Sequence, residues 1–171
     1  MIERVAHKLA VSIKHAAPDH PASIEVLKFP IVAFINAISI VILSIGVALL
    51  TNRMTETIIA LVGYALLRQV SGGIHIKSGE LCILVSVFMI TIFSMADFTQ
   101  PILMILNSIS LLLVILFAPS RIENQTRIPP KYYPILKIIS ALMISTNFLF
   151  NSSVLSAAYF VQSMTLIRWR R

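Results

Sequence analysis

Residues 31–50, IVAFINAISIVILSIGVALL, contain no charged side chain and are long enough to cross a bilayer as a helix. About 20 apolar residues are needed to span the hydrocarbon core in this form. Five shorter apolar runs follow along the chain, at 57–67, 81–96, 101–118, 135–150 and 154–167. The sequence therefore predicts an all-α membrane protein with about six transmembrane helices, some of them short.

The composition favours the same class. The chain has 171 residues, of which 57% are hydrophobic and 12% charged, whereas soluble domains carry roughly 25% charged residues. A net charge of +7 could indicate nucleic-acid binding, but the basic residues lie between the apolar runs and at both ends of the sequence. They are better explained as topology signals that face anionic lipid, so we expect a lipid bilayer and no nucleic acid as partner.

Lys and Arg residues alternate along the segments between the runs. Four lie before the first run, and the five loops between the runs hold one, two, none, three and none. Three more follow the last run, and Lys137 lies near the start of the fifth run. Loops rich in Lys and Arg stay in the cytoplasm. The pattern predicts six crossings with both termini and the loop 68–80 cytoplasmic, although the short run 57–67 could instead be re-entrant.

An amphipathic helix is predicted before the first span. The opening sequence, MIERVAHKLAVSIKHA, repeats apolar side chains at spacings of three and four: Ile2, Val5, Leu9 and Ile13. Such a helix lies in the membrane interface. We expect a single integral membrane domain over 1–171, with a basic amphipathic segment over 1–28 and a helical bundle over 31–167.

The rarest reactive residues gather in the loop after the second run. Residues 68–82, RQVSGGIHIKSGELC, hold three of the five glycines, the only cysteine, and one of the four histidines. On one unbroken helix, His75 and Cys82 would lie about 10 Å apart, too far for a cysteine nucleophile and its base. Gly79 permits a turn between them, and Ser78 is a good N-cap, so the sequence predicts a helix that carries Cys82 in its first turn.

This arrangement would activate the cysteine. The positive end of a helix dipole stabilises a thiolate, and His75 in the preceding loop could take the proton. Gly72 and Gly73, or the first amides of the Cys82 helix, are candidate oxyanion donors. The simpler interpretation is that the cysteine only packs and the glycines only allow close approach. No cofactor is expected, and one His and one Cys provide too few ligands for a metal site.

The same stretch resembles the signature of the accessory gene regulator B (AgrB) family. That signature has an arginine, a Gly-rich stretch, a histidine, six residues and a cysteine, and four residues here match it: Arg68, Gly73, His75 and Cys82. Residues 117–140, FAPSRIENQTRIPPKYYPILKIIS, resemble more weakly the aromatic-Ala-Pro segment of the family and the basic loop after it. Arg121 stands where the family usually has an acidic residue.

The resemblance implies a cysteine endopeptidase of the cell membrane that matures a peptide pheromone for quorum sensing. Cys82 would be the nucleophile and His75 its base. The partner would be an AgrD-like propeptide with an internal Cys or Ser and an acidic C-terminal tail, which is cleaved through a Cys82 thioester and cyclised to a thiolactone or lactone. The resemblance also suggests a homodimer. The alternative interpretation is a non-catalytic small membrane transporter or peptide exporter.

Several residues are candidate substrate contacts. An acidic tail could dock on the positive charges of the predicted cytoplasmic loop, or these could serve topology alone: Arg121, Arg127, Lys131 and Lys137. Arg68 could hold the substrate or brace the glycine loop, and Glu80 could orient His75 or complement the helix dipole.

Three asparagines lie inside the apolar runs: Asn36, Asn107 and Asn147. We expect them to hydrogen-bond between helices, with the lining of a substrate path as the alternative. The runs contain almost no ionisable residues, which argues against proton- or ion-coupled transport.

Overall fold

The computed structural model describes residues 2–19, 21–74, 78–122 and 128–167. Within these ranges the chain forms α-helices and no β-strand beyond one isolated bridge. The helices are α1 (Ile2–Ala16), α2 (Ile24–Thr51), α3 (Met54–Ser71), α4 (Gly79–Ser94), α5 (Gln100–Phe117), α6 (Tyr133–Phe150) and α7 (Ser153–Met164), with a 3-10 turn at Pro130–Tyr132.

The side chains are distributed as in a protein surrounded by lipid. Large apolar residues are exposed along the helices, and Leu84 and Leu149 are 66% and 81% exposed. The interior is rich in small and polar residues, so that α2 buries only Asn36, Ser44 and Ala48 among its 28 residues. Lipid tails match the apolar exterior, and small residues let helices approach closely inside it. The predicted all-α membrane fold is confirmed.

The helices differ in their ability to cross a bilayer. In the described part of the chain, three are long and apolar enough, namely Ile24–Thr51, Gln100–Phe117 and the segment Pro130–Phe150. The apolar helix α4 is shorter, and α7 has 12 residues, which is about 18 Å against a hydrocarbon core of about 30 Å. α3 runs unbroken over 18 residues, but it is not apolar enough to count among these three. Helices cover all six predicted runs, and length and hydropathy together support a full crossing for three.

The short helix α7 is the centre of the bundle. It packs against α3, α4, α5 and α6. Its buried residues are mostly small or polar: Val154, Ser156, Ala157, Ala158, Tyr159, Gln162 and Ser163. Gly63 of α3 makes room for it, since a Cβ at that position would lie 2.4 Å from the Leu155 side chain.

Two of the three asparagines form the predicted hydrogen bonds between helices. Asn147 Nδ2 donates to Asn107 Oδ1 at 3.1 Å and to Ser156 Oγ at 2.9 Å, and the Ser156 hydroxyl donates to Asn107 Oδ1 at 3.0 Å. These contacts join α5, α6 and α7. Asn36 on α2 differs, because its buried Oδ1 has no hydrogen-bond partner among the described residues.

The N-terminal helix has the predicted amphipathic form. α1 packs on α2 through Ala6 and Ala10, which are fully buried, and Glu3 pairs with Lys28 of α2 at 3.6 Å. The neighbouring row of large apolar side chains is exposed: Val5, Leu9 and Ile13. This row is the surface that an interfacial helix would present to lipid.

The connections between helices gather at two ends of the bundle. At one end, the Phe98 amide donates to Ser153 Oγ at 3.0 Å, and Gln100 Nε2 donates to Asn151 Oδ1 at 2.9 Å. These bonds join the α4–α5 and α6–α7 connections. The ends of α3, α5 and α7 meet at the other end, together with the start of α4, and this end holds the residues of the predicted active site.

Candidate active site

Cys82 lies in the first turn of α4. Ser78 caps this helix, because its hydroxyl accepts a hydrogen bond from the Leu81 amide at 3.4 Å, and the Cys82 amide donates to the Ser78 carbonyl at 2.9 Å. The helix begins at Gly79, so no single helix runs from residue 75 to Cys82. The predicted break and cap are confirmed, and the cysteine is free and partly buried.

The backbone turns sharply after α3. Gly72 and Gly73 have φ values of 76° and 121°, which glycine adopts readily and other residues rarely do. The loop pairs with the segment after α5, since the Ser120 amide donates to the Ser71 carbonyl at 2.9 Å and the Gly73 amide donates to the Ser120 carbonyl at 2.8 Å. A Cβ at Gly72 would lie 2.2 Å from the Ser120 carbonyl oxygen. Glycine is therefore required at this position.

The same hydrogen bonds correct one prediction. The Gly72 amide donates to the Arg68 carbonyl at 2.9 Å, and the Gly73 amide is bonded to Ser120. Both donors are engaged within the protein, which argues against the expectation that they bind a substrate oxyanion. Among the first amides of α4, those of Leu81 and Cys82 are bonded to Ser78, so the Gly79 amide at the start of the helix is the predicted donor that remains.

A residue that the sequence analysis did not single out holds the glycine loop. Gln162 of α7 is fully buried, and its Nε2 donates to the Gly72 carbonyl at 2.7 Å and to Ser71 Oγ at 3.0 Å. Its Oε1 accepts a hydrogen bond from Arg68 Nη1 at 3.4 Å. The sequence did contain a signal for this role, because Gln162 is the one glutamine in the last apolar run.

Arg68 ends α3 and braces the loop from the other side. Its Nη2 donates to the Ile74 carbonyl, and its Nη1 also donates to the Tyr64 hydroxyl at 3.4 Å. Of its two expected roles, these contacts favour bracing the loop over holding the substrate. They fix the backbone directly before His75, which itself lies outside the described residues.

The other candidate residues are spread around this end of the bundle. Arg121 follows Ser120 with φ 56°, and its buried Nη1 has no partner in the part of the chain that the structure describes. Lys131 is exposed in the 3-10 turn, with its Nζ 4.9 Å from the centroid of the Tyr132 ring. Glu80 is exposed in the first turn of α4, where a carboxylate complements the dipole. Arg127 lies outside the described residues.

A groove of about 370 Å³ opens between α1, α2 and the start of α4. Its lining includes Glu3, Glu25, Lys28, Phe29, Asn36 and Gly79. Gly79 lies directly against Asn36, since a Cβ there would be 3.2 Å from Asn36 Oδ1. Gly79 and Cys82 are three residues apart on α4 and share a helix face, so the groove approaches the cysteine from the α2 side.

Comparisons with known proteins identify a family for this chain. A family model described as accessory gene regulator B matches residues 2–169. A protein of Halalkalibacterium halodurans named "Putative AgrB-like protein" is 30% identical over 110 residues, which are 64% of this chain and 56% of that protein. The match thus spans little more than half the length of this relative. No solved structure matches the chain.

The family match extends over the whole bundle, including the capped cysteine helix, the glycine loop and the segment after α5 that pairs with it. The chain belongs to the accessory gene regulator B family.

Proposed function

We propose that this chain is a membrane cysteine endopeptidase that removes the acidic tail of an AgrD-like propeptide and supports cyclisation of the remaining peptide. Its family supports a role in quorum-sensing propeptide processing. One observation carries the proposal. Cys82 lies in the first turn of a helix that Ser78 caps, directly after a loop that is held at both Gly72 and Ile74.

The reaction begins with proton transfer from the Cys82 thiol to the His75 imidazole. The thiolate attacks the carbonyl carbon at the tail junction, and the Gly79 amide at the start of α4 stabilises the oxyanion that forms. The C–N bond then breaks, and His75 returns the proton to the leaving amine of the tail. The rest of the peptide remains bound to Cys82 as a thioester.

The bracing of the loop supports His75 as the base. A general base acts only within hydrogen-bond reach of the proton that it takes. Three residues join Ile74 to Ser78, and both of these ends are anchored, one by Arg68 and the other as the cap of α4. We infer from this short tether that the histidine can reach the start of the cysteine helix.

Cyclisation follows from the thioester. The side-chain thiol of the propeptide attacks the acyl carbon, and Cys82 leaves as a thiol, so that one thioester replaces another at little cost in free energy. The first step is uphill because it converts an amide into a thioester. Water must therefore be kept from the intermediate, and the partly buried position of Cys82 among apolar helices suits this need.

The basic end of the bundle suits an acidic tail. The buried Nη1 of Arg121 lacks a partner among the described residues, and a carboxylate would supply one through a charge-assisted hydrogen bond. Arg121 directly follows Ser120, which pairs with Gly72, so this charge lies beside the glycine loop. Arg127 and Lys131 belong to the same connection and add positive charge. Loops of this kind face the cytoplasm, which is where we place the catalytic loop and both termini.

The test uses purified chain in proteoliposomes and a synthetic propeptide taken from the reading frame beside its gene. We expect tail release by mass spectrometry, together with a covalent adduct on Cys82 that hydroxylamine removes. Cys82→Ala and His75→Ala should abolish release while the protein still inserts. Tail release by the Cys82→Ala chain would exclude the proposed mechanism.

A further inference from the structure

We propose that Asn36 is a positioning residue that binds a peptide bond of the propeptide in the groove between α1, α2 and the start of α4. This inference rests on the proposed function, since it assigns a place to the same substrate. It is carried by a buried polar atom without a partner on the wall of an open groove.

The first observation is the unmet hydrogen bond. Asn36 is 7% exposed, and its Oδ1 has no partner among the residues that the structure describes. An unpaired polar atom is costly in an apolar surrounding. In the bundle core, Asn107 Oδ1 accepts from both Asn147 and Ser156, although the buried Asn107 Nδ2 has no partner among the described residues. Of the three membrane asparagines, Asn36 is the one whose side-chain oxygen lacks a partner in the described part of the chain, and Asn36 lines the groove.

The second observation is the position of the groove. Asn36 lies against Gly79, the first residue of α4. Cys82 follows one turn later on the same face of that helix. A peptide segment in the groove would therefore run toward the cysteine, and a hydrogen bond from Asn36 would fix its register along α4.

The chemistry of the groove selects a peptide as its occupant. Oδ1 needs a donor, which a peptide N–H supplies and a lipid acyl chain does not. The asparagine amide also carries donor hydrogens beside this acceptor, so it complements the N–H and C=O of a peptide backbone. Phe29 and Val32 supply an apolar wall for side chains.

The charges at the groove indicate which part of the propeptide it holds. Its lining carries Glu3, Glu25 and Lys28. Glu3 pairs with Lys28, so Glu25 gives the groove a net negative charge that would disfavour an acidic tail. The tail is drawn instead to Arg121 and the basic connection after α5. The groove therefore takes the segment on the N-terminal side of the scissile bond, and the two regions together set the direction of the peptide across Cys82.

The experiment measures binding without cleavage. The Cys82→Ala chain in nanodiscs is titrated with the synthetic propeptide labelled with fluorescein at its N-terminus. We expect Asn36→Leu to weaken binding about tenfold, the effect of losing one buried hydrogen bond. N-methylation of the propeptide at the peptide bond that faces Asn36 should weaken its binding to the chain with Asn36 by the same factor. The Asn36→Leu chain should bind the methylated and the unmethylated propeptide with equal affinity.

Thermal melting separates this role from a structural one. Asn36→Leu should melt at the same temperature as the parent or higher, because it replaces an unpaired polar group with an apolar one of similar size. Asn147→Leu is the matched control and should melt lower, since it removes the donor of two buried hydrogen bonds. A lower melting temperature for Asn36→Leu would assign the residue to folding and overturn the inference.

The remaining outcomes are also decisive. Equal affinities of the Asn36 and Asn36→Leu chains for the propeptide would overturn the inference. It would also be overturned if N-methylation at no peptide bond weakened binding to the Asn36 chain alone. If native mass spectrometry shows that Asn36→Leu loses a bound lipid while its affinity for the peptide is unchanged, the groove binds lipid and the inference is wrong. A Cys82 chain that binds the peptide through Asn36 but releases no tail would refute the proposed function alone.

Discussion

Gln162 Nε2 donates a hydrogen bond to the Gly72 carbonyl at 2.7 Å, so the central helix of the bundle directly holds the loop that leads to His75. The bond joins the last apolar run to the loop after the second apolar run, across 90 residues of sequence. The same nitrogen reaches Ser71 Oγ, and the side-chain oxygen accepts from Arg68. One buried side chain thus ties α7 to the end of α3 and to the start of the loop.

We expect Gln162→Leu to slow tail release strongly. It leaves the Gly72 carbonyl and Ser71 hydroxyl without their donor, which costs about 1–3 kcal/mol per buried group and frees the loop before His75. The loss should fall mainly on kcat, because Gln162 does not contact the substrate, and a tenfold to hundredfold decrease is expected. Rates of tail release in proteoliposomes at saturating propeptide measure it.

The adjacent residue provides a matched control. Ser163 is equally buried, but its Oγ has no hydrogen-bond partner among the described residues. Ser163→Ala should therefore leave both stability and kcat close to the parent values. If the two variants lose activity equally, general disturbance of α7 rather than the contact with Gly72 explains the effect of Gln162→Leu.

A substitution at Gly72 should have the largest structural effect in the loop. Gly72→Ala forces a Cβ to within 2.2 Å of the Ser120 carbonyl oxygen and strains a residue with φ 76°. We expect a lower melting temperature and loss of tail release. Gly46→Ala in α2 is the control, since a Cβ there meets nothing within 4 Å and alanine favours a helix by about 0.5–1 kcal/mol. Equal stability of the two variants would contradict the close packing at Ser120.

Local features of this fold could be predicted from the sequence because their causes are local. The apolar runs give helices, and Ser78 followed by Gly79 gives the start of α4, since a cap needs only the next few amides. The inter-helix bonds of Asn107 and Asn147 were also expected because an amide inside lipid needs a partner. None of these predictions required knowledge of which helices are neighbours.

The missed features depend on long-range contacts. Nothing near Gly72 indicates that Ser120 pairs with it, and this pairing is what removes the glycine amides from the oxyanion site. The central place of α7 was hidden as well, because a run too short to span a bilayer gives a weak sequence signal. The roles of Gln162 and of the unpartnered Oδ1 of Asn36 can be inferred only from the packing of α7 and α2.

The acidic tail provides a test of Arg121. We expect Arg121→Gln to raise KM for the propeptide about tenfold at low salt, since charge-assisted hydrogen bonds are worth about 1.5–3 kcal/mol, and to weaken the salt dependence of KM. Arg53→Gln removes a charge between α2 and α3, where Arg53 pairs with Glu56, and should leave KM unchanged. A propeptide with a neutral tail should bind the parent chain and the Arg121→Gln chain equally. If this neutral-tail propeptide still prefers the parent chain, the result would argue against a contact between Arg121 and the tail.

The cap of α4 links the fold to the reactivity of Cys82. Ser78→Ala removes the acceptor for the Leu81 amide, which should cost about 0.5–2 kcal/mol and let the first turn fray around the cysteine. We expect slower alkylation of Cys82 by iodoacetamide and a lower kcat, with both restored by Ser78→Asn, which caps equally well. Ser152→Ala is the matched control, because Ser152 caps α7 through the Leu155 amide at the opposite end of the bundle. It should lower the melting temperature by a similar amount and leave alkylation unchanged. If Ser152→Ala slows alkylation as much as Ser78→Ala, the thiol responds to the stability of the whole bundle and not to its place at the start of α4.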